Sequence, residues 1–89
     1  MKIKVELYGA SKNFSHKNMI ELDLKSNSYI KDLRKELIKF IKKKHKGNKE
    51  FCKIVESSAF CSEGNNIIHD DHQISKEQKI AIIPPIAGG

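Results

Sequence analysis

Only one stretch of this 89-residue chain carries a sustained helical period, and it lies between stretches that alternate. Across residues 29–45, Ile30, Leu33, Leu37, Ile38 and Ile41 recur at the spacing of one helix face, with lysines over the rest. Before it, residues 2–8 alternate, with Ile3, Val5 and Leu7 on one side and Lys2, Lys4, Glu6 and Tyr8 on the other. Ile20, Leu22 and Leu24 alternate again. Period 2 predicts half-buried strands, the second able to pair back on the first. A lone amphipathic helix must bury its stripe against something, and the strands offer a sheet with one apolar face. The economical packing is an α+β domain, with a mixed sheet of four to five strands against one long helix.

Local signals mark the boundaries. Ser28 is a plausible N-cap, and Asp32 sits early in the helix, where the dipole favours negative charge. Lys42, Lys43, Lys44 and Lys46 crowd the other end, where cations are favoured, and Gly47 supplies a left-handed cap. Gly9 to Asn18 is polar and reads as a loop. From Asn48 to Ser58 the pattern is weak: Phe51, Ile54 and Val55 fit a short helical turn or a strand. Ala59-Phe60-Cys61 reads as a short strand ended by the turn signal Gly64-Asn65-Asn66. Ile67 and Ile68 fit a two-residue strand, His69 to Gln78 a polar turn, and Lys79–Ile83 the last strand. No repeat or linker interrupts this order, so residues 1–83 are expected to form one domain and 84–89 an extended tail.

Composition narrows the class. No stretch has the apolar length of a membrane helix, and Lys2 and Lys4 alternate with apolar residues where a signal peptide would have an apolar block. The expected location is therefore the cytoplasm. Cys52 and Cys61 are too few for a disulfide scaffold and are expected to be reduced. Net charge is +6, and it is concentrated in one element. Lys25 to Lys53 holds 11 basic and 3 acidic residues, or +8, while the remainder holds 6 basic and 8 acidic, or −2.

Several patterns suggest chemistry and are outweighed. His69-Asp70-Asp71-His72 is the most metal-like cluster, but structural zinc sites usually draw on cysteine pairs, and the tetrapeptide reads as a solvated turn. Cys61 has no adjacent histidine to mark an activated thiol. No P-loop or other glycine-rich phosphate motif is present. The lysine-rich helix end invites a nucleic-acid reading, yet it lacks interleaved aromatics for stacking on bases. An acidic groove on a protein partner suits it better, because complementary charge speeds docking. No catalytic or metal-binding residue, and no cofactor bound by this chain, is expected.

The final segment carries the chemistry that remains. In Pro84-Pro85-Ile86-Ala87-Gly88-Gly89, the prolines end the preceding strand and set the exit direction. The glycines leave a backbone able to thread a narrow channel. Six extended residues reach about 20 Å, enough to carry the Gly89 carboxylate into another protein's active site.

With Ser28, Asp32, Leu33 and Arg34 at the helix start and Ile82-Ile83 leading into Pro-Pro-Ile-Ala-Gly-Gly, the sequence resembles the small subunit of molybdopterin synthase, a ubiquitin-like β-grasp sulfur carrier. Where that family has an Asp-Gly-Asp turn before its last strand, this chain has Ser75-Lys76-Glu77-Gln78, and its helix is unusually rich in lysine. The resemblance implies that an E1-like activating enzyme, using ATP and Mg, adenylates the Gly89 carboxylate. It implies conversion to a thiocarboxylate and delivery of the sulfur to a pterin precursor in the synthase large subunit. The chain itself would be a non-catalytic subunit. Pro84, Pro85, Ile86, Ala87 and Gly88 would enter the partner with Gly89, and Tyr8, Ile67 and Ile83 fall where family members place apolar partner contacts. Two alternatives stay open: a ubiquitin-like modifier conjugated through Gly89, and a carrier delivering sulfur to thiazole or to tRNA.

Overall fold

The computed structural model describes residues 1–85. Strand β1 (Lys2–Leu7) pairs antiparallel with β2 (Met19–Asp23), placing Val5 opposite Ile20 and Ile3 opposite Leu22. Helix α1 (Ile30–Lys44) follows, then a second helix, α2 (Lys49–Ser57). Strands β3 (Ala59–Cys61) and β4 (Ile67–Ile68) form a short antiparallel pair, and β5 (Gln78–Ile83) closes the sheet. The sheet order is β2-β1-β5-β3-β4. β5 therefore lies between β1, to which it is parallel, and β3, to which it is antiparallel.

The alternating pattern decides which face is covered. Ile3, Val5, Leu7, Ile20, Phe60, Ile80 and Ile82 are all buried, as are Ile30, Leu33, Leu37 and Ile41 of α1. Ile38, the remaining apolar residue of the helical pattern, packs partly buried against that core. Burying each of the four inward side chains of α1 contributes about 1.5–3 kcal/mol, far more than its intrinsic propensity. The expected class is thus observed, with five strands and a long helix.

The differences lie in the weakly patterned segments. Residues 48–58, which fitted either a turn or a strand, are α2, with the Asn48 carboxamide accepting from the Phe51 N–H at 3.1 Å as an N-cap. The predicted loop after β1 contains a 3-10 helix, Gly9–Phe14, that sends Phe14 fully into the core. Phe14 meets Phe51 at 5.1 Å between ring centroids, and Phe51 meets His45 at 5.0 Å. These rings join the 3-10 helix to both α-helices, and His45 Nε2 donates to the Phe14 carbonyl at 2.8 Å. One isolated aromatic in a polar run carries no period, so this contact is not visible as a pattern.

Ser28 is not the N-cap of α1. Its hydroxyl donates to the Lys25 carbonyl at 2.7 Å, closing the turn before the helix. The helix starts one residue later: Tyr29 is the N-cap residue, and its N–H donates to the Asp32 carboxylate at 2.8 Å. At the far end the chain turns left-handed at Lys46 (φ 53°) and stays so at Gly47 (φ 73°), so the cap is shared between them. The polar segment 69–78 also hides an anchor, because Ile74 is fully buried and its N–H donates to the Ser28 carbonyl at 2.7 Å.

Candidate functional site

The strand that leads into the tail sits near the centre of the sheet, paired on both sides. β5 ends at Ile83, where Pro84 removes the N–H that another ladder bond would need. Gly9 follows β1 on the same level, with a φ of 55° that suits glycine. A Cβ added there would stand 3.9 Å from Pro84 Cδ, so the start of the tail passes close to the Gly9 turn. Pro84 is half-buried and Pro85 exposed. Ile86, Ala87, Gly88 and Gly89 lie outside the described residues.

Beside this exit lies the sheet face that α1 leaves uncovered. The pairing register places Glu6, Ala81, Cys61 and Ile67 in one row across four strands. Ile83 lies opposite Ala59 in the next row, and Tyr8 follows Leu7, whose partner is Ile82. Tyr8, Ile67 and Ile83 are 45%, 62% and 37% exposed, so large apolar groups meet water here beside half-buried Ala59, Cys61 and Ala81. The structure thus brings the three contact residues implied by the resemblance onto one face. Tyr8 and Ile83 are neighbours at the exit, while Ile67 stands on the edge strand beyond β3. The small residues between them were not singled out as site residues, although alternation in β5 and β3 carries their signal. Further along the same face the surface becomes charged, with Lys2, Lys4, Glu63, Glu77 and Lys79 around a shallow depression.

One edge of the apolar patch is built by Arg34. Its guanidinium donates to the carbonyls of Val55 (2.6 Å) and Ser58 (2.8 Å), and to Asp70 Oδ1 through Nη2 at 2.8 Å and Nε at 3.2 Å. It lies 4.9 Å from the Phe60 ring centroid. A cation is thereby fixed where the C-terminal carbonyls of α2 carry partial negative charge. The planar fork ties α1, α2, β3 and the 69–72 turn together. Arg34, Ser58, Ala59, Ile67, Ile68 and Asp70 line an open groove of about 570 Å³ beside the patch.

The His69-Asp70-Asp71-His72 segment has a structural role that its composition does not announce. The carbonyls of Asp70 and His72 accept the Lys31 and Ile30 N–H groups at 3.1 and 2.9 Å, satisfying donors at the start of α1. The Asp70 carboxylate is engaged by Arg34. Among the described residues, no group of three or more His, Cys, Asp or Glu side chains is arranged to hold a metal ion. Cys52 and Cys61 are free thiols, each half-buried. Among the described residues, no helix is long and apolar enough to cross a membrane.

A mixed five-stranded sheet clasping one long helix, with the tail leaving from an inner strand, defines the ubiquitin-like β-grasp fold. No protein-family model and no curated protein sequence matches the chain. Among solved structures it is similar to SAMP1 from Haloferax volcanii, at 12% identity and a TM-score of 0.70, over 100% of both chains. It is also similar to a protein assigned as molybdopterin converting factor subunit 1 from Pyrococcus furiosus. That match has 19% identity and a TM-score of 0.67, over 96% of this chain and 98% of the other. At these identities the likeness is one of fold, and the fold is the one implied by the resemblance in the helix start and tail.

Proposed function

We propose that this protein is a ubiquitin-like sulfur carrier acting in molybdopterin biosynthesis. The observation that carries the reading is the placement of Tyr8, Ile83 and Ile67 on the uncovered sheet face, next to the point where β5 runs into Pro84 and Pro85. Exposed apolar groups of this kind mark docking surfaces, and this one lies beside the start of the tail. A partner seated there would receive the tail in an orientation set by the sheet.

The chemistry falls on the Gly89 carboxylate. An α-carboxylate has a pKa of about 3.5, so it is ionised and a poor electrophile at neutral pH. Adenylation by an activating enzyme, with ATP and Mg, makes it reactive, and sulfur transfer leaves a thiocarboxylate. The synthase large subunit then takes the sulfur from Gly89 onto its pterin substrate. This chain contributes the scaffold, the docking face and the tail, and its partners contribute catalysis. The choice of molybdopterin rests on the Pro-Pro-Ile-Ala-Gly-Gly ending and the helix start, and the fold shared with the Pyrococcus furiosus protein is compatible with it.

Intact-mass analysis of protein isolated from its native cell tests the reading. The expected species has one carboxylate oxygen of Gly89 replaced by sulfur. A chain that stays unmodified and forms no complex with a large subunit would overturn it. Isopeptide adducts on other proteins that vanish on deletion of Gly88 and Gly89 would instead establish a modifier.

A further inference from the structure

The lysines at the end of α1 form a second surface, away from the uncovered sheet face. Lys42, Lys43, Lys44, Lys46, Lys49 and Lys53 are all exposed, and none makes an ion pair among the described residues. The helix dipole accounts for the first three, which occupy the last turn of α1. It does not account for Lys49, the first residue of α2, where the N-terminal end of the dipole disfavours a cation. Lys42 comes from one helix and Lys49 and Lys53 from the other, yet all three line one depression of about 420 Å³, where Glu56 is the single acidic member. Lys44 and, from the 3-10 helix, Lys12 line a separate depression of about 300 Å³ whose lining also holds His16 and no acidic residue. Lysines from both helices, none of them ion-paired among the described residues, thus gather around the junction of α1 and α2.

The charge run in the sequence favours an acidic groove on a protein partner, but the make-up of the folded surface points to a different occupant. Protein interfaces are enriched in arginine and aromatic residues and depleted in lysine, whereas this surface is built from lysine. The apolar docking features lie on the other side of the sheet, so these lysines do not rim that patch. Phe40 and Phe51 are half-buried against the core and offer no free ring for stacking on single-stranded bases. Phosphate-backbone binding to a duplex needs neither bases nor rings, only clustered cations that displace condensed counterions. We propose that this end of the protein binds the phosphate backbone of duplex nucleic acid without reading its sequence.

Fluorescence anisotropy with two 12-base-pair DNA duplexes of unrelated sequence, joined to amide chemical-shift mapping, tests this. Both duplexes should bind alike and shift the amides of residues 42–53. With four phosphates neutralised, affinity should fall by about 150-fold between 50 and 200 mM salt, from a logarithmic slope of about −0.9 per contact. The quadruple variant Lys42→Gln/Lys46→Gln/Lys49→Gln/Lys53→Gln should lose at least tenfold at 50 mM salt while keeping its melting temperature. Ile67→Asp should bind duplex like the parent, which separates this surface from the carrier docking face. Absence of binding at 50 mM salt would overturn the proposal, as would shifts confined to the sheet face. Binding of a poly-glutamate peptide at equal affinity through the same amides would also overturn it, in favour of an acidic protein partner.

Discussion

Replacing Arg34 by alanine should reveal how much of the fold hangs on one side chain. The substitution removes donors from the Val55 and Ser58 carbonyls and from Asp70, and takes a cation off the Phe60 ring. Hydrogen bonds from a charged donor contribute about 1.5–3 kcal/mol each, but they do not sum, because water can reach some of the freed carbonyls. The Asp70 partner is 55% exposed, and an exposed pair is worth about 0–1 kcal/mol. The ring contact adds about 0.5–1 kcal/mol. A loss of about 2–4 kcal/mol follows, dominated by the part-buried carbonyls at the end of α2. For a domain of this size about 1 kcal/mol moves the melting temperature by 4–8 °C, so a fall of roughly 8–32 °C is expected. Urea denaturation of Arg34→Ala, Arg34→Lys and Asp70→Asn measures the partition. Asp70→Asn should cost less than about 1 kcal/mol, and Arg34→Lys should recover less than half of the alanine loss, because a shorter side chain with one ammonium cannot reach the carbonyls and Asp70 at once. If Asp70→Asn cost as much as Arg34→Ala, or if Arg34→Ala cost under 1 kcal/mol, the clasp would not be what joins α1 to α2 and β3.

Ile74→Ala should cost about 2–4 kcal/mol in urea denaturation, as expected for a fully buried anchor and not for a residue of a solvated turn. Asn48→Ala should cost about 1 kcal/mol and speed amide exchange at Phe51, whose N–H it leaves without a cap. Ile67→Asp should change stability by less than about 0.5 kcal/mol but abolish binding to the synthase large subunit, measured by calorimetry. Unchanged binding would remove the docking role of the sheet face.

Where a period could be seen, the sequence was readable. The alternation of Ile3, Val5 and Leu7 placed β1, and the helical stripe from Ile30 to Ile41 placed the buried face of α1. Tyr8, Ile67 and Ile83 were named only through the resemblance, and the structure leaves all three exposed on one face. What could not be read depends on single residues whose meaning is tertiary. Phe14 and Ile74 are lone apolar residues in polar runs, and each is pulled inward by a cavity that other elements create. The weak pattern of α2 comes from its short length and from having only Val55 fully buried. Asp70 reads as a solvated carboxylate until the turn of α1 bearing Arg34 is brought beside it.

The central position of β5 also bears on how the protein is made. Its pairing with β1 joins Ile3 to Gln78 and Leu7 to Ile82, so the middle of the sheet is assembled from segments far apart in the chain. Loop closure of that span must come before the pairing can stabilise anything, which raises contact order and slows folding. On the ribosome, β1 and β2 emerge early but cannot complete a sheet until residues 78–83 are free of the exit tunnel. Nascent chains stopped short of β5 would expose unpaired strand edges and be open to proteolysis. Folding thus acts as a length check: only a chain that has delivered its last strand acquires the complete sheet face.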